Sequence, residues 1–192
     1  PIFDQGEIVA FAANKAHWTE VGGKDPGSWT TDATEVFQEG LQFPCVKLFQ
    51  RGEPIQSLLD IIAANVRLPD MSLGDMWSQV ASVRLADRRF RELCAKYGRD
   101  AVLTSIERLM DYGETMARQE LAKLPRGTFT AEDMIDDDGI GNGPFPVKVA
   151  VTIDDDGITF DFTGSAPQAP GPINCSWTSV VSSANCLIKA LC

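Results

Sequence analysis

The sequence has few of the residues that build a self-contained metal or redox centre. It contains one histidine, His17, and its five cysteines form no CxxC pair. A metal site needs three or four ligands, so any site that uses His17 must take its other ligands from elsewhere. An odd number of cysteines without paired spacing favours reduced thiols, which predicts a cytoplasmic location.

Positive charge and long apolar runs are also scarce. The 17 Lys and Arg residues are outnumbered by 27 Asp and Glu residues, and the formal net charge is −10. An acidic chain repels phosphate backbones, so nucleic acid is not expected as a partner. No apolar run approaches the roughly 18 residues of a membrane span, and no secretory leader is visible, so a membrane is not expected as a partner either.

Motifs that bind phosphate or carry a nucleophilic serine are missing as well. The sequence has no GxxxxGK[ST], GxSxG or GxGxxG motif, and GIGNG at residues 139–143 is too short to serve as a nucleotide fingerprint. The chain therefore has no recognisable ATP site. DDDG occurs at residues 136–139 and 154–157, but both copies lack the fifth-position ligand of a calcium loop, which favours simple turns.

The spacing of apolar residues predicts an α+β fold. IVAFAA at residues 8–13 is typical of a buried strand that would lead into the segment containing His17. Helical periodicity then predicts three helices with buried faces, and Ser72 with Asp75 is expected to form a capping box at the start of the second. The expected buried face of the third helix consists of Val102, Ile106, Leu109, Met110 and Leu121.

The last part of the chain has the period-two alternation of strands. Alternating residues on both sides of the turn at 154–157 predict a β-hairpin, and a helix is expected from Ser176. These patterns divide the chain into a strand and loop region (1–52), three helices (53–125), and the hairpin with the start of a helix (126–192). Because the sequence begins in a strand-like pattern and ends in a helical one, we expect an internal fragment of a larger domain.

His17 lies in AHWTEVGG at residues 16–23, after the predicted first strand. Loops at strand ends often carry function, and an imidazole can bind a metal or transfer a proton. Glu20 is close enough in sequence to fix the tautomer of the imidazole. A lone histidine is equally compatible with a structural role, and the residues alone leave both interpretations open.

Two further segments carry polar groups that could have a function. Glu35 and Glu39 have i, i+4 spacing and would share one face of a helical turn. Their mutual repulsion is relieved when a cation lies between them, which is one interpretation, and a solvated turn is the alternative. The Gly- and Pro-rich stretch at residues 161–174 contains Gln168 and Asn174, which could bind a substrate amide or carboxylate.

Taken in order, several motifs resemble one family along nearly the whole chain. AHWTEVGG, TEVFQEGLQFP, LPRGTF and DFTGSAPQAPGPIN are similar to segments of the hydantoinase B/oxoprolinase family. That family includes B-type subunits of ATP-dependent N-methylhydantoinases, the C-terminal part of oxoprolinases, and large subunits of acetone- and acetophenone-type carboxylases. The resemblance implies an A-type partner subunit or domain that binds ATP, which would explain the missing phosphate loop.

The resemblance also implies roles for particular residues. His17 matches a metal-ligand position, zinc or manganese is expected there, and the other ligands, an Asp and a His-x-Asp pair, would precede the first residue. Glu20, where the family often has Asp, and Glu35 are candidate catalytic carboxylates, with Glu20 acting through His17. Arg67 and Asp75 are candidate substrate-binding residues, because a planar guanidinium suits carboxylate and phosphate groups.

These implications lead to one expected function and two alternatives. We expect a B-type subunit of an ATP-dependent hydrolase that opens cyclic amides such as hydantoins or 5-oxoproline-like lactams. The first alternative is a subunit of an ATP-dependent, biotin-independent ketone carboxylase, which would consume bicarbonate. The second is an assembly segment without catalytic residues of its own.

Overall fold

A computed structural model describes residues 1–191 and confirms the α+β fold class. The chain forms two compact units, Pro1–Ile106 and Glu107–Cys192, and it passes from one to the other within a helix. The division at residues 52 and 125 stays a prediction, because it marks changes of secondary structure and not of compact units. None of the described helices is long and apolar enough to cross a membrane.

The first unit begins with a small hairpin. Strand β1 (Ile2–Asp4) pairs antiparallel with β2 (Glu7–Ala10) around Gln5 and Gly6, which both have positive φ, as in a type I′ turn. A long loop with 3-10 turns at Pro26–Ser28 and Val36–Gln38 follows. The next elements are β3 (Phe49–Gln50), β4 (Glu53–Pro54), α1 (Gln56–Asn65), α2 (Pro69–Tyr97) and α3 (Arg99–Leu121).

Helices α1 and α2 supply much of the core of the first unit. The predicted period of α1 is confirmed, since Leu59 and Ile62 are buried where α1 packs against α2. Helix α2 begins at Pro69, whose missing N–H costs no hydrogen bond in a first turn. It ends at Gly98, which adopts φ 88°, a backbone conformation that glycine takes readily.

Two predictions about burial are wrong. The first strand ends at Ala10, and Phe11 is 73% exposed. Within residues 1–191, β1 and β2 pair only with each other. No described residue of α3 is buried, and Leu109 is 68% exposed. Helical periodicity identifies an apolar face, but it does not identify the element that covers that face.

The predicted capping box is also wrong. Helix α2 starts three residues before Ser72, and the Ser72 N–H donates to the Leu68 carbonyl oxygen at 3.0 Å within the helix. Ser72 is buried and Asp75 is half-buried. Their side chains are therefore free to bind a segment outside the helix.

The second unit contains an antiparallel three-stranded sheet. Its strands lie in the order β5-β6-β7, with bounds Gly127–Ile135, Phe145–Ile153 and Ile158–Asp161. The hairpin predicted at residues 154–157 is confirmed, with the Asp154 N–H donating to the Gly157 carbonyl oxygen at 3.1 Å. Helix α4 (Trp177–Leu191) confirms the helix expected after the sheet.

Asp138, in the first DDDG segment, joins two loops of the second unit. Its carboxylate is buried and accepts hydrogen bonds from the backbone N–H groups of Ile140, Asn142 and Gly171 at 3.0–3.1 Å and from the Asn142 amide at 2.8 Å. Burial raises the pKa of Asp138, but these donors outweigh it and hold the pKa below its ordinary value. This segment is therefore a structural anchor as well as a turn.

Gly171→Ala is expected to lower the free energy of unfolding by about 1–3 kcal/mol. A Cβ atom at Gly171 would lie 2.1 Å from the Asp138 carbonyl oxygen, so the two loops would have to separate. Urea denaturation followed by circular dichroism measures the effect. Gly113→Ala is the matched control, because its Cβ meets nothing within 4 Å and alanine favours the helix. Equal midpoints for the two variants would contradict the anchor.

Candidate functional site

Four of the five residues predicted from the sequence meet at the start of α2. The segment at residues 14–20, here called the His17 loop, is held by three polar side chains on one face of α2. This polar stripe consists of Ser72, Asp75 and Gln79. Ser72 Oγ donates to the Glu20 carbonyl oxygen at 2.6 Å, and Asp75 Oδ2 accepts from the Thr19 N–H at 2.6 Å.

Gln79 binds the other end of the His17 loop. Its Oε1 accepts from the indole Nε1–H of Trp18 at 2.6 Å, and its Nε2 donates to Asn14 Oδ1 at 3.2 Å. The stripe therefore contacts the loop on both sides of His17. Since α2 is long and packed against α1, the loop is fixed to a rigid element.

The Glu20 carboxylate forms the buried part of this attachment. Its side chain is fully buried and pairs with Arg67, where Nη1 lies 2.8 Å from Glu20 Oε1. The Arg67 backbone N–H donates to Oε2 at 2.7 Å, and the Gly22 N–H donates to Oε1 at 3.0 Å. Both carboxylate oxygens are thus occupied within the chain, which gives Glu20 a structural role. Its catalytic role stays a prediction.

The remaining donors of Arg67 hold the turn that follows Glu20. Nη2 donates to the Gly23 carbonyl oxygen at 2.8 Å and to that of Lys24 at 3.2 Å, and Nη1 donates to that of Asp25 at 3.2 Å. Four of the five guanidinium N–H groups are therefore used inside the protein. Substrate binding by Arg67 stays a prediction, and its contacts give it the role of an anchor.

Glu20→Gln is expected to reduce the loss of stability in acid. Burial raises the pKa of Glu20, but the Arg67 backbone and guanidinium and the Gly22 N–H outweigh it, so the folded pKa lies below the ordinary value of 4.5. The ionised form stabilises the fold above about pH 4.5, and this contribution is lost as the pH falls through the folded pKa. Urea denaturation at about pH 7 and about pH 3.5 should show a smaller difference in unfolding free energy for the variant than for the wild type. If the unfolding free energy changed equally with pH in the variant and in the wild type, the ionised Glu20 would not contribute to stability.

His17 itself is exposed and lines an open cleft of about 560 Å³. The size is that of a small-molecule pocket. Its walls are apolar and mostly aromatic or branched: Trp18, Val21, Trp29, Leu41, Phe43 and Val66. The lining also includes three polar residues, His17, Thr19 and Ser28. The polar stripe thus presents the only imidazole of the sequence beside a cavity that could hold a small organic ring.

Glu35 lies apart from this cluster. It is exposed and precedes the short 3-10 turn Val36–Gln38, where its N–H donates to Gln38 Oε1 at 3.3 Å. No hydrogen bond within residues 1–191 joins Glu35 to the polar stripe or to Glu20. With φ −147° it is extended, so it shares no helical face with Glu39. Its catalytic role stays a prediction.

The loop at residues 161–174 is braced mainly by its own side chains. Asn174 Nδ2 donates to the carbonyl oxygens of Ala169 and Gly171, and its Oδ1 accepts from the Ala169 N–H. Its amide is therefore used internally and not free for a substrate. Gln168 is exposed and lines a separate cleft of about 430 Å³ in the second unit.

The described residues do not fit a complete metal site. Among residues 1–191, no group of three His, Cys, Asp and Glu side chains lies close enough to hold a metal ion. Glu20 cannot join His17 as a ligand without breaking its bonds to Arg67 and Gly22. His17 could therefore contribute one ligand at most, with the others supplied from outside these residues.

Sequence reasoning missed the role of the polar stripe and of Gln79 in particular. The sequence predicted a capping box for Ser72 and Asp75 and substrate binding for Asp75, which stays a prediction, but it did not predict their hydrogen bonds to the His17 loop. The available signal was three polar residues at i, i+3 and i+7 beside the buried Met76, a pattern that places polar groups next to the core. Such groups must find partners, and here the partners are in the His17 loop.

An apolar cleft of this size whose lining includes one imidazole is typical of a small-molecule site. The family model for hydantoinase B/oxoprolinase matches residues 1–192, and the chain belongs to that family.

Individual relatives have names from several branches of the family. A protein assigned as the B-type subunit of a D-/L-hydantoinase in Pseudomonas sp. (strain NS671) is 36% identical over 91% of this chain and 30% of its own length. The beta subunit of the caprolactamase of Pseudomonas jessenii is 31% identical over 91% of this chain and 30% of its own length. Both names describe subunits, so these relatives work with partner subunits. The chain spans about a third of the length of each of these two relatives.

Solved structures confirm the fold. The ATP-dependent caprolactamase from Pseudomonas jessenii superposes with a TM-score of 0.82 at 29% identity, over 88% of this chain and 29% of that chain. A nucleotide-free acetone carboxylase superposes with a TM-score of 0.91 at 20% identity, over 99% of this chain and 27% of that one. The second likeness shows the shared fold alone.

Proposed function

We propose that this chain is part of a B-type subunit of an ATP-dependent hydrolase that opens cyclic amides, acting with an A-type partner that binds ATP. The observation that carries the proposal is that His17 lines the apolar cleft on a loop that α2 holds through Gln79 and Asp75. Two relatives above 30% identity are named as a hydantoinase and a caprolactamase, and both names refer to cyclic amides. The absence of any phosphate-binding motif in the sequence supports an ATP site on the partner.

Within this proposal the described residues bind and orient the substrate. The apolar residues of the cleft hold the ring by excluding water, and His17 and Thr19 face the amide that is to be cleaved. The polar stripe and the pair of Glu20 with Arg67 keep the His17 loop in one position, so that the imidazole and the substrate amide meet in a fixed geometry.

We also propose that His17 supplies one ligand of a divalent metal, zinc or manganese. An exposed imidazole on a fixed loop is a suitable ligand. The remaining ligands would come from outside residues 1–191, since that part of the chain contains no three-ligand group. A cytoplasmic location, in which the thiols stay reduced, remains part of the proposal.

A ketone carboxylase subunit is the second candidate. The acetophenone carboxylase delta subunit of Aromatoleum aromaticum is 26% identical over 91% of this chain. Its substrate would be a ketone, which fits the same apolar walls, and the reaction would consume bicarbonate. Bicarbonate dependence therefore separates the two candidates.

The test is to purify the protein with its A-type partner and supply ATP with a cyclic amide or a ketone, with and without bicarbonate. We expect a ring-opened amino acid that forms without bicarbonate and in proportion to the ATP consumed. Product that forms only from a ketone and bicarbonate would overturn the hydrolase in favour of the carboxylase. No ATP-dependent product under any condition would favour an assembly segment without chemistry of its own.

A further inference from the structure

We propose that the cleft beside His17 selects cyclic amides whose ring substituents are uncharged and apolar, and rejects those that carry a carboxylate such as 5-oxoproline. This inference rests on the proposed function and names the substrate class of the same site. It follows from the composition of the cleft walls and from the engagement of the nearby cations.

The walls of the cleft offer contact area without charge. Among the described residues that line it, none is Asp, Glu, Lys or Arg. Trp29 is 82% exposed in this structure, and Phe43 is also exposed, so two aromatic rings stand open at one cavity. Exposed aromatic groups around a cleft mark a surface that gains free energy when an apolar group covers it.

Arg67 and Lys24, which follow the lining residues Val66 and Val21 closely in the chain, are already paired. Arg67 binds Glu20 and three backbone carbonyl oxygens, and Lys24 Nζ lies 2.5 Å from Asp32 Oδ1 and 3.8 Å from Asp25 Oδ2. Lys15 lies two residues before His17, but it is exposed and does not line the cleft. A substrate carboxylate placed against the apolar residues of the cleft would lose water without gaining a counter-charge from a Lys or Arg of the lining.

The polar side chains that line the cleft are those of His17, Thr19 and Ser28. The Ser28 hydroxyl is engaged, because it accepts from the Val21 N–H at 2.8 Å and donates to the Gly22 carbonyl oxygen at 2.6 Å. His17 and Thr19 therefore supply the side chains that can face a substrate amide there. We expect a cyclic amide to bind with its amide beside His17 and Thr19 and its substituent against Trp29 and Phe43.

The first test compares three substrates in the assembled complex with ATP: caprolactam, 5-phenylhydantoin and 5-oxoproline, whose carboxylate is ionised at neutral pH. The expected result is a kcat/KM for the better uncharged substrate that exceeds the value for 5-oxoproline at least about 100-fold. An equal or higher value for 5-oxoproline would overturn the inference while leaving the proposed hydrolase intact.

The second test adds a cation to the wall. Phe43→Arg is expected to shift the ratio of kcat/KM values toward 5-oxoproline by about 10-fold, which corresponds to about 1.4 kcal/mol for one partly exposed charge pair. Phe37→Arg is the matched control, since Phe37 is also an exposed phenylalanine but does not line the cleft, and its ratio should stay at the wild-type value. Equal ratios in the two variants would overturn the assignment of the cleft.

Direct binding separates this inference from the proposed function. Without ATP, 5-phenylhydantoin should quench the tryptophan fluorescence of the wild type, and Trp29→Ala should reduce that quenching and leave the part that comes from Trp18, the other tryptophan of the lining. 5-Oxoproline at the same concentration should leave the fluorescence unchanged. Quenching without any ATP-dependent hydrolysis would refute the proposed function and support the selectivity, whereas quenching by 5-oxoproline alone would refute the selectivity.

Discussion

Arg67→Met is expected to lower the free energy of unfolding by about 2–3 kcal/mol. The substitution leaves the Glu20 carboxylate buried without its counter-charge and frees the carbonyl oxygens of residues 23–25. Breaking a fully buried pair costs about 3–5 kcal/mol, but the Arg67 side chain is 41% exposed, so water reduces the loss. Urea denaturation at neutral pH measures it.

Two control variants show whether the effect belongs to this ion pair. Arg89→Met breaks an exposed pair with Glu92 at 2.7 Å, and its cost should stay below about 0.5 kcal/mol. Arg67→Lys keeps the charge but loses the planar fork, so an intermediate cost is expected. If Arg67→Met cost no more than Arg89→Met, the anchoring role of Arg67 would be wrong.

The same variant should loosen the segment before Glu20. Once Arg67 no longer holds Glu20 and the following turn, the His17 loop is attached by the polar stripe alone. Trypsin should then cut faster after the exposed Lys15 in Arg67→Met than in the wild type, at a temperature where both remain folded. Arg89→Met should be cut there at the wild-type rate.

Features that depend on neighbours in sequence could be predicted well. The apolar period of α1 and the Asp- and Gly-rich turn between β6 and β7 were both predicted correctly, because a helix face and a hairpin are encoded within a few residues. The burial of α3 was predicted wrongly. Leu109 has the expected helical period, but no described residue buries it. Burial depends on a second element, which a period does not identify.

The contacts that build the candidate site lie far apart in sequence. Trp18 and Gln79 are separated by 61 residues, and Glu20 and Arg67 by 47. Resemblance to a family could point to His17, Glu20 and Arg67, but it could not show that the last two bind each other. The motifs suggest catalytic or substrate-binding roles for the Glu20 carboxylate and the Arg67 guanidinium. Only the fold shows that most of their hydrogen bonds position the loop.

His17→Ala is expected to reduce the metal content and the ring-opening rate of the assembled complex by at least about 100-fold, with little change in unfolding free energy. His17 is exposed, and no hydrogen bond from the described residues reaches its side chain, so its removal costs the fold little. Loss of one ligand from a site of three or four removes much of the metal affinity. Elemental analysis of the purified complex and a rate measurement on the same sample provide the two values.

The metal content and the rate together identify the role of His17. The control is Lys15→Ala, which changes an exposed residue of the same loop and should leave both values unchanged. Normal metal content with a large loss of rate would refute the ligand role and point to proton transfer by the imidazole. Normal metal content with a normal rate would favour the assembly segment, because the only imidazole at the cleft would then be dispensable. A loss of both metal content and rate is expected only if His17 is a metal ligand. Removal of a proton-transfer residue would leave the metal in place, and removal of a structural residue would change the unfolding free energy.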